Sequence, residues 1–233
     1  MKPSDPLSNP NTTTDISQAA KWLKAGKLLC YPTESVWGIG CDPFNETAVA
    51  QLLAIKQRPV DKGMIVITDN IKRIAPLLAS LNAKQRQSVT DSWQPLLNHY
   101  PINQQAVSSQ VQQAQTWLLP LPESLEVTIP SWITGIHNSV AVRLIAHPMI
   151  QQLCAQMVTP NNPYGFVVST SCNPAGKPPA SGLAQAQAYF ANLDIDTDKN
   201  DNYANNVRYL TGETLNYQRP SQINDALTGQ IIR

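Results

Sequence analysis

The sequence predicts an α/β fold in which helices flank a central sheet. Short apolar segments alternate along the chain with segments that have the spacing of amphipathic helices. The segment SVAVRLI, from Ser139 to Ile145, shows the alternation of a strand with one buried face. With 233 residues, of which 42% are hydrophobic and 14% charged, the chain can build one large domain with a sizeable core.

The N-terminal residues differ in composition from the rest of the chain. Residues 1–14 are rich in Pro, Asn, Ser and Thr, so we expect a disordered tail before a single domain over residues 15–233. Asp15 can cap a helix whose apolar residues share one face, and Gly26 can end it. Residues Lys27 to Tyr31 then form the first predicted strand.

The segment from Leu28 to Ile67 is the unit around which we expect the fold to form. An apolar strand leads to the polar cluster Thr33-Glu34-Ser35. A helix follows, capped by Asn45 or Thr47, and Pro59 marks its end before a second strand at Met64 to Ile67. The order of these elements predicts a βαβ-like unit with cations at the end of its helix.

The remaining segments extend the alternation of helices and strands. Residues 96–115 and 194–206 are polar, poorly spaced for helices, and predicted to be insertions. Helices are predicted at 71–81, 83–93, 148–157 and 181–190, and strands at 116–119, 139–145, 166–169, 207–210 and within 221–232.

Composition excludes several classes of protein and site. The formal net charge of +1 gives no general attraction to nucleic acid, so we expect no DNA partner and only a local patch for RNA. Four cysteines without a C-x-x-C pair indicate reduced thiols, and the three histidines lack metal-ligand spacing. We therefore expect no metal site, no membrane span and a cytoplasmic protein.

Two groups of polar residues are candidates for chemistry. Lys56 and Arg58 at the predicted helix end could bind one anion together, or could simply be solvated side chains favoured by the helix dipole. Ser169, Ser171 and Asn173 follow an apolar strand, where ligands gather in open α/β sheets. The alternative for these three is ordinary turn chemistry.

Thr33 and Arg143 have the same ambiguity. Thr33 follows a strand end, and a cation in the strand that carries Arg143 needs either a carboxylate partner or a ligand if it faces inward. Gly38 and Gly40 do not form a dinucleotide-binding fingerprint, and the chain lacks a phosphate-binding P-loop.

Taken together, these segments resemble the YrdC-like threonylcarbamoyl-AMP synthase family, in particular its short bacterial members. The resemblance rests on YPTESVWGIGCDP, on the K-x-R motif in KQRP, on SVAVRLIAHP, on the S-x-N motif in STSCN and on the C-terminal GETLNYQRPSQINDALTGQIIR. It implies a twisted open mixed sheet with flanking helices, of the YrdC/RibB-like type. The family's Pro-Gly-Pro-x-Thr segment is split here between Gln94-Pro95 and Thr116.

The resemblance also implies an activity, which is to condense L-threonine, bicarbonate and ATP into L-threonylcarbamoyl-AMP and pyrophosphate. Mg²⁺ is expected on the phosphates, and partner proteins are expected to transfer the product to tRNA. The rival hypothesis is a non-catalytic double-stranded RNA-binding or ribosome maturation factor of the same fold. By resemblance, Lys56 and Arg58 are the catalytic residues and bind phosphates and carboxylate, and Thr33, Thr116, Arg143, Ser171 and Asn173 bind substrate. Ser169, from the hydroxyl cluster after the apolar strand, is predicted to bind substrate with them.

Overall fold

The structure is a computed structural model that describes residues 9–97, 113–190 and 206–233. The helices within these ranges are α1 Ile16–Lys24, α2 Glu46–Ile55, α3 Ala75–Leu78, α4 Ala83–Leu97, α5 Ser131–Thr134, α6 Pro148–Gln156 and α7 Leu183–Phe190. The strands are β1 Thr12–Thr13, β2 Leu28–Pro32, β3 Trp37–Gly40, β4 Ile65–Thr68, β5 Gln115–Pro120, β6 Ser139–Leu144, β7 Val167–Val168, β8 Thr170–Ser171, β9 Val207–Leu210 and β10 Gln222–Asp225. Short 3-10 turns occupy Val60–Lys62 and Ile71–Ile74.

The helix ends follow from local side-chain chemistry. The Asp15 carboxylate accepts a hydrogen bond of 2.8 Å from the Ser17 N–H and caps α1. Gly26, with φ +78°, ends that helix as predicted. At α2 the cap is Asn45, whose side-chain oxygen accepts from the Ala48 N–H at 3.0 Å. The predicted helix at 71–81 is instead a 3-10 turn followed by the one-turn helix α3.

The mixed α/β class is confirmed, but the strands form two sheets. One has the order β1-β9-β2-β3-β8 and the other β10-β5-β6-β4-β7, and both contain parallel and antiparallel pairs. Because β2 and β4 lie in different sheets, the prediction of a βαβ unit between them is wrong. Along the chain, the β2–β3 hairpin comes first, and α2 and the strands of the second sheet follow it.

The segment from Val167 to Ser171 joins the two sheets. Its first half, β7, pairs with β4, and its second half, β8, pairs with β3. Ser169 lies between them and donates its backbone N–H to the Ile65 carbonyl oxygen at 2.9 Å. A strand that changes sheets makes a corner, and the predicted hydroxyl cluster lies at this corner.

Strand β3 was not predicted, because its sequence WGIG contains two glycines that weaken a strand signal. The structure shows why the second glycine is needed. A Cβ built on Gly40 would lie 1.7 Å from the Val168 carbonyl oxygen, so no side chain fits where β3 meets the joining segment. The close approach of the two backbones therefore requires glycine at position 40, although glycine is unfavourable in a strand.

Two apolar clusters form the core. The larger fills the space between the sheets and helices α2 to α4, and it contains Trp37, Leu52, Trp93 and Phe166. In the smaller, α1 and α6 pack together and cover the other face. The four cysteines are free thiols and buried. None of the helices described is both long and apolar enough to cross a membrane.

Three predictions concern segments that are only partly described. Thr12 and Thr13 pair in parallel with Tyr209 and Leu210, although they fall within the range 1–14 that was expected to be a tail. Residues 1–8 of that range lie outside the described residues. The same holds for residues 98–112 and 191–205, which make up most of the two predicted insertions.

Candidate active site

A cavity of about 750 Å³ lies where the two sheets meet. Its floor is one face of the second sheet, formed by Ile65, Leu118 and Ala141, which are neighbours across β4, β5 and β6. Trp37 and Gly38 of β3 form part of the opposite wall. Five of the eight predicted site residues line it: Thr33, Arg58, Arg143, Ser169 and Ser171.

Lys56 and Asn173 meet beside this cavity but do not line it. The Lys56 ammonium donates to the carbonyl oxygen of Ser171 at 2.8 Å, to that of Asn173 at 2.6 Å and to Asn173 Oδ1 at 2.8 Å. Ser171 Oγ donates to the same Oδ1 at 2.6 Å. The three donors of the ammonium are thus used within the S-x-N segment, and Lys56 holds that segment in place.

Burial also changes the acid–base behaviour of Lys56. The pKa of this side chain is lowered to about 8, mainly by burial; Cys172 opposes the shift and the nearby Arg58 guanidinium adds to it. The pKa of Arg58 is lowered too, by burial and by the positive charge of Arg233. The K-x-R motif therefore lies in a partly desolvated, electropositive environment.

Because of the backbone geometry at the end of α2, the side chains of Lys56 and Arg58 extend in different directions. Gln57 has φ +45°, a left-handed conformation that is unusual outside glycine. The Arg58 N–H bonds to the Leu53 carbonyl oxygen and the Gln57 N–H to that of Ala54, which is the Schellman pattern of helix termination. Lys56 consequently reaches the S-x-N segment, whereas Arg58 turns toward the loop after the helix.

Arg58 holds the turn at Lys62 and Gly63 and also lines the cavity. Its Nε and Nη2 donate to the Gly63 carbonyl oxygen at 3.1 and 2.8 Å, and Nη2 also donates to that of Lys62 at 3.3 Å. Gly63 has φ +59°, and a Cβ there would lie 2.8 Å from the Thr134 carbonyl oxygen. Nη1 makes no hydrogen bond to the described residues and is available to an anion.

Arg143 lies at the inner end of the floor, next to Thr116 in the antiparallel pair of β5 and β6. Its Nη2 is 3.4 Å from Ser169 Oγ and 3.7 Å from Glu34 Oε2. Thr116 is fully buried and does not line the cavity, and its hydroxyl lacks a hydrogen-bond partner among the described residues. Residues paired directly across two strands share a face, so Thr116 lies beside Arg143 on the cavity side of the sheet, where neighbouring groups cover it completely.

Thr33 uses its hydroxyl group within its own loop. Its Oγ donates to the Val36 carbonyl oxygen at 2.6 Å, and its backbone N–H donates to the same atom at 3.1 Å. The oxygen keeps its acceptor capacity, and the side chain faces the cavity. Thr33 can therefore accept a hydrogen bond from a substrate but not donate one without releasing Val36.

The C-terminal wall of the cavity was not predicted from the sequence. Residues 217–221 line it, together with Ile232 and Arg233. The Leu215 and Tyr217 N–H groups bond to the Thr33 and Glu34 carbonyl oxygens at 3.3 and 2.9 Å, which fixes this segment over the polar loop. Its sequence has no helix or strand period, so apart from the family resemblance of the C-terminal segment, only the charge of Arg219 beside Pro220 could have indicated a site.

Other lining residues were within reach of the sequence pattern. Ser139, Ala141 and Arg143 alternate along β6 and all line the cavity, as residues on one face of a strand do. The strand was predicted and Arg143 was noted, but Ser139 was not. His137 and Lys62 come from loops and carried no signal.

The cavity is strongly electropositive although the whole chain is almost neutral. Five cations line it, Arg58, Lys62, Arg143, Arg219 and Arg233, and none of its described lining residues is Asp or Glu. Within the described parts of the chain no group of three or more His, Cys, Asp or Glu could hold a metal ion. The cavity has the size and charge for a polyanionic small molecule, with hydroxyl groups to orient it.

Comparisons with known proteins agree with this geometry. The family model Sua5_yciO_yrdC, described as "Telomere recombination", matches residues 21–232. A protein of Psychrobacter cryohalolentis named threonylcarbamoyl-AMP synthase is 60% identical over 227 residues, covering 97% of this chain and 99% of its own. One of the same name from Acinetobacter baylyi is 42% identical over 221 residues, covering 95% and 97%.

Solved structures show the same fold at lower identity. The structure of P. abyssi Sua5 complexed with L-threonine is 23% identical with a TM-score of 0.64, covering 90% of this chain and 50% of that one. E. coli YciO is 17% identical with a TM-score of 0.61, covering 94% and 87%. With the family model matching almost the whole length and a relative at 60% identity, this chain belongs to the Sua5/YciO/YrdC family.

Proposed function

We propose that the protein is an L-threonylcarbamoyladenylate synthase, a nucleotidyltransferase that forms L-threonylcarbamoyl-AMP and pyrophosphate from L-threonine, bicarbonate and ATP. The observation that carries the proposal is the cavity with five cationic side chains and no Asp or Glu in its described lining. The names of relatives that match nearly the whole chain support the same activity.

The proposed chemistry needs charge neutralisation and alignment more than a protein nucleophile. The threonine ammonium group first loses a proton to solvent, and the amine nitrogen then bonds to the bicarbonate carbon with loss of water, which gives a carbamate. A carbamate oxygen then attacks the α-phosphorus of ATP, and pyrophosphate leaves with the electron pair of the broken P–O bond. Each reactant except the zwitterionic threonine carries net negative charge, so a cavity of cations reduces their mutual repulsion.

The cations divide by their positions. Arg58 keeps Nη1 for a phosphate oxygen, and Lys62, Arg219 and Arg233 add positive charge on the same lining. Arg143, with Ser169, offers a planar fork to a carboxylate-like group at the inner end. Thr33 accepts a hydrogen bond from threonine, and Ser171 presents a hydroxyl group to the nucleotide.

Lys56 and Asn173 act indirectly in this proposal. The ammonium group of Lys56 is bound by three oxygen atoms of the S-x-N segment. We therefore propose that Lys56 holds that wall of the cavity in shape and does not contact a phosphate directly. Asn173 is likewise engaged, since its Nδ2 donates to the Pro174 and Lys177 carbonyl oxygens at 3.1 and 2.6 Å. Thr116 supports the floor beside Arg143.

Mg²⁺ fits the proposal as a companion of the nucleotide. The described lining offers hydroxyl oxygens but no Asp or Glu, so the ion would be held mainly by phosphate oxygens and water. Bound there, it would neutralise charge on the triphosphate. The product is a reactive mixed anhydride, and we propose that partner proteins transfer its threonylcarbamoyl group to tRNA.

An omission experiment tests the proposed function. Purified protein is incubated with ATP, bicarbonate and labelled threonine, and pyrophosphate and a labelled adenylate are measured. We expect both products only when all three substrates are present, and about 100-fold less with Arg58→Gln. Lys84→Gln, on an exposed helix position away from the cavity lining, is the control. Absence of adenylate with intact binding of double-stranded RNA would favour the rival hypothesis instead.

A further inference from the structure

Glu34 is a buried carboxylate next to the cavity that the chemistry above leaves without a role. Its side chain is 2% exposed, and its Oε1 accepts a hydrogen bond from the Ala146 N–H at 3.0 Å. Its carbonyl oxygen accepts from the Tyr217 N–H at 2.9 Å. Glu34 therefore connects the loop after β2, the segment after β6 and the C-terminal wall of the cavity.

The second carboxylate oxygen of Glu34 faces Arg143. The distance from Glu34 Oε2 to Arg143 Nη2 is 3.7 Å, which is an ion pair but not a hydrogen bond. Neither Glu34 Oε2 nor Arg143 Nε has a hydrogen-bond partner among the described residues. The Arg143 side chain is 12% exposed, and its one hydrogen bond in the described structure is the long one to Ser169.

This arrangement leaves a largely buried guanidinium group with most of its donors unused by the described residues, including the buried Nε. Buried polar groups are normally hydrogen-bonded, and an exception calls for an explanation. A bidentate pair with Glu34 would satisfy Arg143, but no hydrogen bond joins the two side chains in the described structure, and their ion-pair contact is 3.7 Å long. Glu34 thus balances the charge of Arg143 while leaving its N–H groups available to a ligand.

We propose that Glu34 is a positioning residue that holds the Arg143 guanidinium toward a carboxylate-like oxyanion at the inner end of the cavity. The oxyanion is bicarbonate or the carboxylate of threonine, since both present the two coplanar oxygens that an arginine fork binds. This inference rests on the proposed function. It adds a residue outside the K-x-R and S-x-N motifs to the groups that the reaction needs.

Glu34→Gln is the direct test, because it removes the charge and keeps an oxygen for the Ala146 N–H. We expect the KM for either bicarbonate or threonine to rise at least tenfold, while the KM for ATP stays within twofold of the wild-type value. The substrate whose KM rises identifies the oxyanion. A merely structural role would lower the fraction of active protein, and so kcat, without changing any KM. That result, or wild-type kinetics, would overturn the proposal.

A second ion pair of the same domain provides the matched control. Arg73 Nε donates to Asp69 at 2.8 Å, and neither residue lines the cavity. Asp69→Asn removes the negative charge of the Asp69–Arg73 pair, just as Glu34→Gln removes the negative charge of the Glu34–Arg143 pair. We expect its KM values for all three substrates to remain within twofold of wild type. A tenfold rise with Asp69→Asn would show that the kinetics report general loosening, and would count against Glu34.

Arg143→Met completes a double-mutant cycle. If Glu34 acts through Arg143, Glu34→Gln changes kcat/KM less than twofold in the Arg143→Met background. An undiminished effect in that background would contradict the proposal. Where Arg143→Met leaves too little activity to measure, urea unfolding of the same four proteins gives the coupling energy between the two side chains. Additive changes in the free energy of unfolding would contradict an interaction between Glu34 and Arg143.

Glu34→Gln leaves a largely buried cation without its counter-charge, so the test also needs a variant that folds if this one does not. The double variant removes both charges, so we expect it to unfold at higher urea than Glu34→Gln alone. Equal instability of the two would overturn the pairing. If wild-type protein forms no adenylate, the proposed function is refuted. If wild-type protein is active and Glu34→Gln has the same KM values and kcat, only the inference about Glu34 is refuted.

Discussion

Lys56 illustrates how one side chain can matter more for a site than for the fold. Its ammonium group organises Ser171 and Asn173 through three hydrogen bonds, yet the side chain is only half-buried at a helix end. We predict that Lys56→Met lowers adenylate formation about 100-fold but lowers the free energy of unfolding by only about 1–2 kcal/mol. Urea unfolding and the product assay measure the two effects. Stability and activity lost in equal proportion would show a structural role.

The protonation of Lys56 makes a prediction about pH. With a pKa lowered to about 8 by burial, the side chain loses its charge as the pH rises through that value. The neutral amine has two N–H donors for three oxygens, so the S-x-N wall loosens and activity falls in mildly alkaline solution. Arginine remains charged at this pH. In a pH profile of kcat, the alkaline fall should therefore move upward in Lys56→Arg, and an unchanged fall would contradict this account.

At the scale of one element, the end of α2 stores strain that serves the site. Gln57 adopts φ +45°, where glycine is favoured, because the Schellman turn must separate Lys56 from Arg58. We predict that Gln57→Gly raises the free energy of unfolding by about 0.5–1 kcal/mol. Ala54→Gly, one turn earlier on an exposed helix position, should lower it by about 1 kcal/mol. If urea unfolding shows that the free energy of unfolding changes with the same sign in both variants, Gln57 is not strained.

The contact between β3 and the joining segment makes a second prediction at this scale. Gly40→Ala places a methyl group 1.7 Å from the Val168 carbonyl oxygen, so the two sheets must separate at their corner. We expect a loss of about 3 kcal/mol or more in the free energy of unfolding. Gly182→Ala has no atom within 4 Å and should stay within about 1 kcal/mol. Thermal unfolding of both proteins measures this difference, and similar values would refute it.

For the whole molecule, the sequence predicted the elements better than their arrangement. The α/β class, the caps of α1 and α2 and strand β6 were evident, because they depend on local chemistry and periodicity. The division into two sheets was not evident, since it depends on pairing between segments more than 100 residues apart, such as β3 with β8. Glycine-rich β3 was missed for the same reason, because its neighbours and not its composition determine it.

The site was predicted to a similar extent. Motif resemblance led to Arg58, Arg143, Ser171 and Thr33, and the position after an apolar strand led to Ser169; all five line the cavity. It did not distinguish groups that face the cavity from groups that support it, so Lys56, Asn173 and Thr116 were expected as direct contacts. It also missed the wall made by residues 217–221, whose position depends on backbone hydrogen bonds to Thr33 and Glu34.

The most direct test of the account is a crystal structure of the protein with threonine, bicarbonate and a non-hydrolysable ATP analogue. We predict a phosphate oxygen within hydrogen-bond distance of Arg58 and a carboxylate-like group on Arg143, with Lys56 still bound to Ser171 and Asn173. Ligands bound elsewhere on the molecule, with the cavity between the two sheets left empty, would contradict the central claim that this cavity is the active site.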